Sequence, residues 1–156
     1  VSASGFNIPY ETVKKALGAT FFPARAEIIS RNPLTVLDGA HNPDGAEALA
    51  EIMKKYGGRI TAIIGVMRDK DYETVLKKTL PYCRAAVAVT VENMPRSLAG
   101  EKLAAAASKY CPCITAENYG AAIEKSRSSA GGDPVFVFGS LYLASGIRKK
   151  LKNFYN

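Results

Sequence analysis

From residue 34 onward the sequence alternates short apolar runs with stretches whose apolar residues recur at helical spacing. No other feature constrains the fold as much. Strand–helix–strand units close as right-handed crossovers and leave their strands parallel. Strands are predicted over 34–38, 60–66, 85–91, 113–115 and 135–138. Val135-Phe136-Val137-Phe138 carries no polar residue, as suits a strand buried on both faces. The helices carry their own punctuation. Asn42 stands before Pro43 at a helix start, with Asp44 and Glu47 early in the helix. Ala46, Leu49, Ala50 and Met53 share one face, Glu51 is spaced to pair with Lys55, and Gly57-Gly58 stops the helix. A second helix is predicted over 71–80, with Tyr72, Val75, Leu76 and Thr79 on one side. A third, alanine-rich, covers 97–110 and opens at Ser97. Asn118 caps a fourth, and Gly139-Ser140 leads into a last one bearing Ala144, Ile147 and Leu151. Ahead of this rhythm, a short helix over 9–17 has Pro9 at its first position and ends at Gly18. A strand over 26–30, joined to the next by an Asn32-Pro33 turn, reads as an antiparallel edge. The expected architecture is α/β: a three-layer, Rossmann-like, mostly parallel sheet with an antiparallel edge strand and helices on both faces.

Composition narrows the function classes. At 156 residues the chain is about one domain. No apolar run approaches the ~18 residues of a membrane span, so no membrane partner is expected. No signal peptide is visible and Val1 is not a natural start, so a cytoplasmic piece of something longer is expected. The net charge of +7 does not single out nucleic acid, because the basic residues are scattered and not interleaved with aromatics. The densest group, Arg148-Lys149-Lys150 with Lys152, falls at the end of the last helix, where cations suit the helix dipole. A mildly basic surface suits small anionic substrates equally well. Cys83, Cys111 and Cys113 make neither a disulfide framework nor, with one distant histidine, a zinc site. They read as reduced thiols in or near the core.

In a parallel sheet of this kind, ligands bind beyond the carboxyl ends of the strands. The unusual residues fall at those ends: Asp38 to Asn42, the stretch 65–71 with Arg68, Asp69, Lys70 and Asp71, the stretch 92–97, and Gly139-Ser140. Each loop also precedes a helix N-terminus, where free N–H groups favour anions. Taken singly, each residue has a purely structural alternative. Asp38 and His41 could stabilise a turn, the 68–71 charges could be a solvated cluster, and Ser140 could be an ordinary N-cap. Convergence on one edge favours a site. The chain has no Gly-x-x-x-x-Gly-Lys-Ser/Thr loop, no Gly-x-Gly-x-x-Gly and no nucleophile elbow.

Arg25, the string Leu37-Asp38-Gly39-Ala40-His41-Asn42-Pro43, then Asp69-Lys70-Asp71 and Phe138-Gly139-Ser140 together resemble the C-terminal domain of folylpolyglutamate synthase, often bifunctional with dihydrofolate synthase, within the Mur ligase superfamily. The likeness covers nearly the whole chain. One departure is Phe22-Pro23-Ala24-Arg25, where the family usually has Trp-Pro-Gly-Arg. The resemblance implies a division into a hinge segment at 1–24, leading from an absent central ATPase domain, and a C-terminal domain at 25–156. It implies ATP-dependent addition of L-glutamate to a folate or a dihydropteroate through an acyl phosphate. The phosphate loop and the Mg2+ ligands belong to the central domain, so this chain alone is expected to be inactive, with no certain catalytic residue and no metal site of its own. By the same analogy Arg25, Asp38 and His41 would serve ATP, while Lys70, Ser140 and Arg68 are candidates for the glutamate carboxylates. Two alternatives remain: a peptidoglycan-precursor ligase of the same superfamily, and a stand-alone nucleotide- or anion-binding module without catalysis.

Overall fold

The computed structural model describes residues 5, 8–20 and 22–155. The parts of the expected hinge at residues 1–4, 6, 7 and 21 lie outside the described residues. Among the described residues six strands form one sheet, β1 (Glu27–Arg31), β2 (Leu34–Leu37), β3 (Ile60–Ile64), β4 (Cys83–Val89), β5 (Cys113–Ala116) and β6 (Val135–Phe138). Their spatial order is β1-β2-β6-β3-β4-β5. Only the β1–β2 pair is antiparallel, so β1 is the expected antiparallel edge. All four residues of β6 are buried, and β6 lies between β2 and β3.

The helices are α1 (Tyr10–Ala19), α2 (Pro43–Met53), α3 (Tyr72–Thr79), α4 (Gly100–Ala107), α5 (Tyr119–Ala130) and α6 (Leu141–Tyr155). Two apolar cores sandwich the sheet. One joins Leu49 and Met53 of α2, Leu76 of α3 and Leu103 of α4 to Ile60, Ile64, Phe136 and Phe138. The other joins Ile123 of α5 and Leu143, Ile147 and Leu151 of α6 to Ile63, Val87, Val135 and Val137. Alternate residues of β6 thus serve opposite cores, as the two-residue period of a strand dictates.

The caps explain where the helices begin. Asn42 accepts the Gly45 N–H at 2.8 Å, Asp71 the Thr74 N–H at 3.1 Å, and Asn118 the Ala121 N–H at 2.9 Å. Four local expectations need correction. The alanine-rich helix begins at Gly100 and ends at Ala107 rather than covering 97–110. Ser97 is used elsewhere: its Oγ accepts the Val91 N–H at 2.7 Å, while Gly100 donates to Thr90 Oγ1 at 2.9 Å. Glu51 pairs with Lys54, one residue short of Lys55, because a 3-10 turn at Lys54–Tyr56 tightens the end of the helix. Gly18 lies inside α1, which continues to Ala19. Pro9 is the residue before the first helical one, not within the helix. Helix α1 buries none of its residues; Tyr10, Val13 and Leu17 form an exposed apolar stripe.

Cys83 and Cys111 are buried, and burial raises all three thiols, Cys113 up to about 12, so none is poised as a thiolate. Among the described residues no group of three or more His, Cys, Asp or Glu is placed to hold a metal ion, and no helix is long and apolar enough to cross a membrane.

Candidate functional site

Strand β2 leads into α2 on one face of the sheet, whereas its neighbour β6 leads into α6 on the other. The loops leaving β2 and β6 therefore part, and the same is true between β6 and β3. This is the topological switch point of an open α/β sheet, where a crevice opens because chain departs from it to both sides. A cavity of about 510 Å³ occupies it. His41 comes from the loop after β2, Met67 and Lys70 from the loop after β3, Arg96 from the loop after β4, Ser140 from the turn after β6 and Tyr142 from the first turn of the helix that follows it.

The backbone there is tightly built. Gly139 has φ +115, and a Cβ on it would lie 2.8 Å from the Gly65 carbonyl oxygen. Only glycine permits both the conformation and the approach. Next to it, the buried Ser140 caps α6: its Oγ accepts the N–H groups of Tyr142 at 3.0 Å and Leu143 at 3.2 Å. The structural reading of Ser140 is thus real. It does not remove Ser140 from the cavity, since a hydroxyl whose lone pairs are taken still has its proton to donate.

His41 Nδ1 lies 2.9 Å from the Gly39 carbonyl oxygen. A carbonyl accepts only, so Nδ1 carries the proton and Nε2 is the nitrogen left for a ligand. Lys70 lines the cavity, while Arg68 does not. A strip of antiparallel pairing joins the loops after β3 and β4, with a Met67–Ser97 bridge, the Arg68 N–H donating to the Arg96 carbonyl at 2.9 Å and the Leu98 N–H to the Val66 carbonyl at 3.0 Å. Neighbouring side chains alternate along extended backbone. Met67 faces inward and is buried; Arg68 is exposed.

Arg96 brings to the cavity the second cation that Arg68 was expected to bring. Its guanidinium is 2.7 Å from the Asp69 carboxylate and 6.0 Å from the centre of the Tyr142 ring. Sequence reasoning placed Arg96 on the right loop without singling it out. The available signal was Asp69, opposite in charge and on the neighbouring loop.

Arg25 and Asp38 form a second group, off this cavity. Asp38 accepts the Ala26 N–H on Oδ2 and the Ala40 N–H on Oδ1, each at 2.7 Å. Burial raises its pKa, against the lowering effect of the two N–H groups and the Arg25 charge. Arg25 is exposed, at the tip of a turn whose flanking residues, Ala24 (φ 56) and Ala26 (φ 47), are both left-handed. The Gly39 N–H donates to the Ala24 carbonyl at 2.8 Å, so this turn is tied to the loop that carries His41. Ala24 keeps the left-handed geometry that a glycine would adopt more easily.

The sequence pattern of the Mur ligase, glutamate ligase domain family matches residues 24–141. The chain belongs to this family. Among similar proteins, the folylpolyglutamate synthase of Lacticaseibacillus casei is 35% identical over 145 residues, covering 90% of this chain and 32% of that protein. The dihydrofolate synthase/folylpolyglutamate synthase of Bacillus subtilis is 32% identical over 149 residues, covering 94% and 34%. Among solved structures, the Mycobacterium tuberculosis folylpolyglutamate synthase complexed with ADP and AMPPCP superposes with a TM-score of 0.85 at 28% identity, over 94% of this chain and 36% of that one. Escherichia coli FolC in complex with DHPP and ADP gives 0.86 at 25% identity, over 99% and 37%. This Mur ligase domain thus spans about a third of the length of the relatives it matches.

Proposed function

We propose that this Mur ligase domain is the glutamate-presenting part of an ATP-dependent ligase that adds L-glutamate to a folate or a dihydropteroate. The observation that carries the reading is the cavity at the switch point, where Lys70 and Arg96 converge with the Ser140 hydroxyl and His41. Glutamate carries two carboxylates and one amine. Two cations from different loops match the two carboxylates, and a guanidinium forks onto a carboxylate in two parallel bonds. Ser140, whose acceptor capacity is used by the α6 cap, contributes a donor. The cavity volume is within the ordinary ~300–1,000 Å³ range of small-molecule sites.

In the reaction, a carboxylate oxygen of the folate substrate attacks the γ-phosphorus of ATP and ADP departs. The glutamate nitrogen then attacks the acyl carbon, phosphate leaves and the nitrogen loses a proton. Arg25, exposed and mounted on a braced turn, serves the transferring phosphoryl group, where a preorganised cation stabilises developing charge. Asp38 holds that turn and has lone pairs left for the nucleotide ribose; His41, on the loop tied to the turn through Gly39, lines the cavity. The described residues do not fit a resident Mg2+, because no group of three or more acidic, histidine or cysteine side chains is assembled among them. The ATP-holding residues, and any metal ligands, belong in this reading to a further domain against which α1 packs its exposed stripe of Tyr10, Val13 and Leu17. The chain by itself then turns nothing over.

The test is a set of single variants in the complete ligase. Lys70→Ala and Arg96→Ala are expected to raise KM for glutamate at least about tenfold, each a loss of roughly 1.4 kcal/mol, with KM for ATP unchanged. Glutamate KM values equal to the parent's would sink the assignment of this cavity. Calorimetry of the isolated chain with ATP checks the division of labour: micromolar affinity, on the order of −8 kcal/mol, would mean that the chain is a nucleotide-binding module in its own right.

A further inference from the structure

Glu27 is the buried acid that the ligand cavity does not use. Its side chain stands at the start of β1, 6% exposed, and meets Arg148 of α6 in a fork: Arg148 Nε donates to Oε1 at 3.0 Å and Oε2 at 2.9 Å, and an outer guanidinium nitrogen donates to Oε1 at 2.8 Å. Lys152 Nζ is 3.6 Å from Oε1. Oε2 has a second donor, the Ala24 N–H, at 3.1 Å. The same carboxylate therefore grips α6 on one side and the Arg25 turn on the other.

That turn needs gripping. Ala24 and Ala26 both adopt left-handed backbone, which the Cβ of an L-residue disfavours. Two carboxylates oppose the cost, Asp38 through the Ala26 N–H and Glu27 through the Ala24 N–H. Glu27 is held as the anion: burial raises its pKa, but the Arg148 hydrogen bonds, the Ala24 N–H and the Arg148 and Lys152 charges outweigh this and leave it lowered. A cleft of about 820 Å³ beside the turn is lined by Arg148, Lys149 and Lys152, yet two of these three cations face Glu27. The group is better described as a clamp than as a second anion site.

We infer that Glu27, held by Arg148, is a positioning residue for Arg25, a role that rests on Arg25 serving the transferring phosphoryl group: the ion pair between β1 and α6 fixes the turn that aims the guanidinium. Displacing a charge from its productive geometry costs rate steeply, so the clamp acts through kcat with ATP and not through glutamate binding.

The experiment is a double-mutant cycle in the complete ligase with Glu27→Gln, Arg25→Ala and the pair. Glu27→Gln is expected to lower kcat by about tenfold to a hundredfold at unchanged glutamate KM, and to have no further effect once Arg25 is alanine. Independent, multiplying effects would overturn the positioning role while leaving Arg25 in its place. An Arg25→Ala enzyme as active as the parent would overturn the phosphoryl reading of Arg25 and this inference with it. Should Glu27→Gln fail to fold, Arg148→Lys, which keeps the charge and loses the fork, takes its place in the same cycle. In the isolated chain, hydrogen exchange supplies a local readout. The Ala24 amide is expected to exchange faster in Glu27→Gln while amides of β6 do not change, and an unchanged Ala24 amide would contradict the clamp.

Discussion

The two halves of the ligand edge are built differently. Around Arg25 and Asp38, carboxylates are spent on backbone: Asp38 binds two N–H groups, Glu27 binds one, and both sit at least half out of water. Around Lys70 and Arg96, the side chains are exposed, and the one ion pair that holds Arg96 joins two partners that are nearly half exposed. Exposed pairs of that kind contribute ~0–1 kcal/mol. The first half is a scaffold that fixes a turn at a cost in strain. The second is a loose set of cations that a ligand with two carboxylates can reorganise cheaply. Substitutions should therefore act on stability in one half and on affinity in the other.

The largest effect is expected on the scaffold side. Asp38→Ala leaves the Ala26 and Ala40 N–H groups without their acceptors at 2.7 Å. At ~1–3 kcal/mol for each of the two groups left unpaired, a loss of about 2–6 kcal/mol is expected in urea unfolding of this chain. A loss under about 0.5 kcal/mol would show that the turn does not depend on Asp38, and the contrast between the halves would fail.

The matching measurement on the cation side is the unfolding of Lys70→Ala and Arg96→Ala. Each is expected to stay within about 0.5 kcal/mol of the parent while glutamate KM rises in the complete ligase. Asp69→Asn sharpens this further. Removing the partner of Arg96 should leave folding unchanged and weaken glutamate binding only a few fold, because Tyr142 still lies beneath the guanidinium. A variant in this half that melted the domain would make it scaffold after all.

How legible each half was in the sequence follows the same division. Strand and helix periods, the Asn42 and Asn118 caps and the Gly57 stop are local signals, and they placed the loops on one edge correctly. What faces the cavity is decided by contacts between distant segments. Arg68 and Arg96 look alike in sequence; Arg68 stays off the cavity, while Arg96, paired with Asp69, lines it. The Met67 bridge and the Val91 N–H likewise engage Ser97 away from the helix that it was expected to open. Glu27 and Arg148 stand 121 positions apart, and helix-dipole reasoning about Arg148 had no means of finding a buried partner on the edge strand. The switch-point geometry, by contrast, follows from the alternation alone once the strand order is known.

Acid should separate the two carboxylates of the scaffold. Glu27 has its pKa below the ordinary 4.5, so the unfolded chain takes up the proton first. Its contribution is complete above that value and is lost as pH falls through the folded-state pKa. Asp38 runs the other way. Its pKa is above the ordinary 3.8, so the folded chain binds the proton more tightly, and acidification through that window stabilises. Glu27→Gln should accordingly be less stable than the parent at about pH 6, with the gap closing toward about pH 3.5. A gap that stayed constant between urea titrations at those two values would mean that Glu27 is not held as an anion.

The smallest effect concerns the strain itself. Ala24 has φ 56, where a Cβ costs ~1–2 kcal/mol. Glycine removes that cost but widens the unfolded ensemble by ~0.4–1 kcal/mol, and it also gives up a methyl that is buried here. That methyl is worth ~0.8 kcal/mol, so the three contributions nearly cancel and the urea midpoint of Ala24→Gly is expected to stay within about 0.5 kcal/mol of the parent at unchanged slope. The catalytic outcome bears on the comparison more than the stability does. If the scaffold works by holding Arg25 still, glycine should leave the stability nearly unchanged and yet lower kcat, because the turn gains conformations that the alanine forbids. A variant that kept its stability and full kcat would show that the hydrogen bonds accepted by Glu27 and Asp38 and donated by Gly39 hold the turn without help from the restricted backbone.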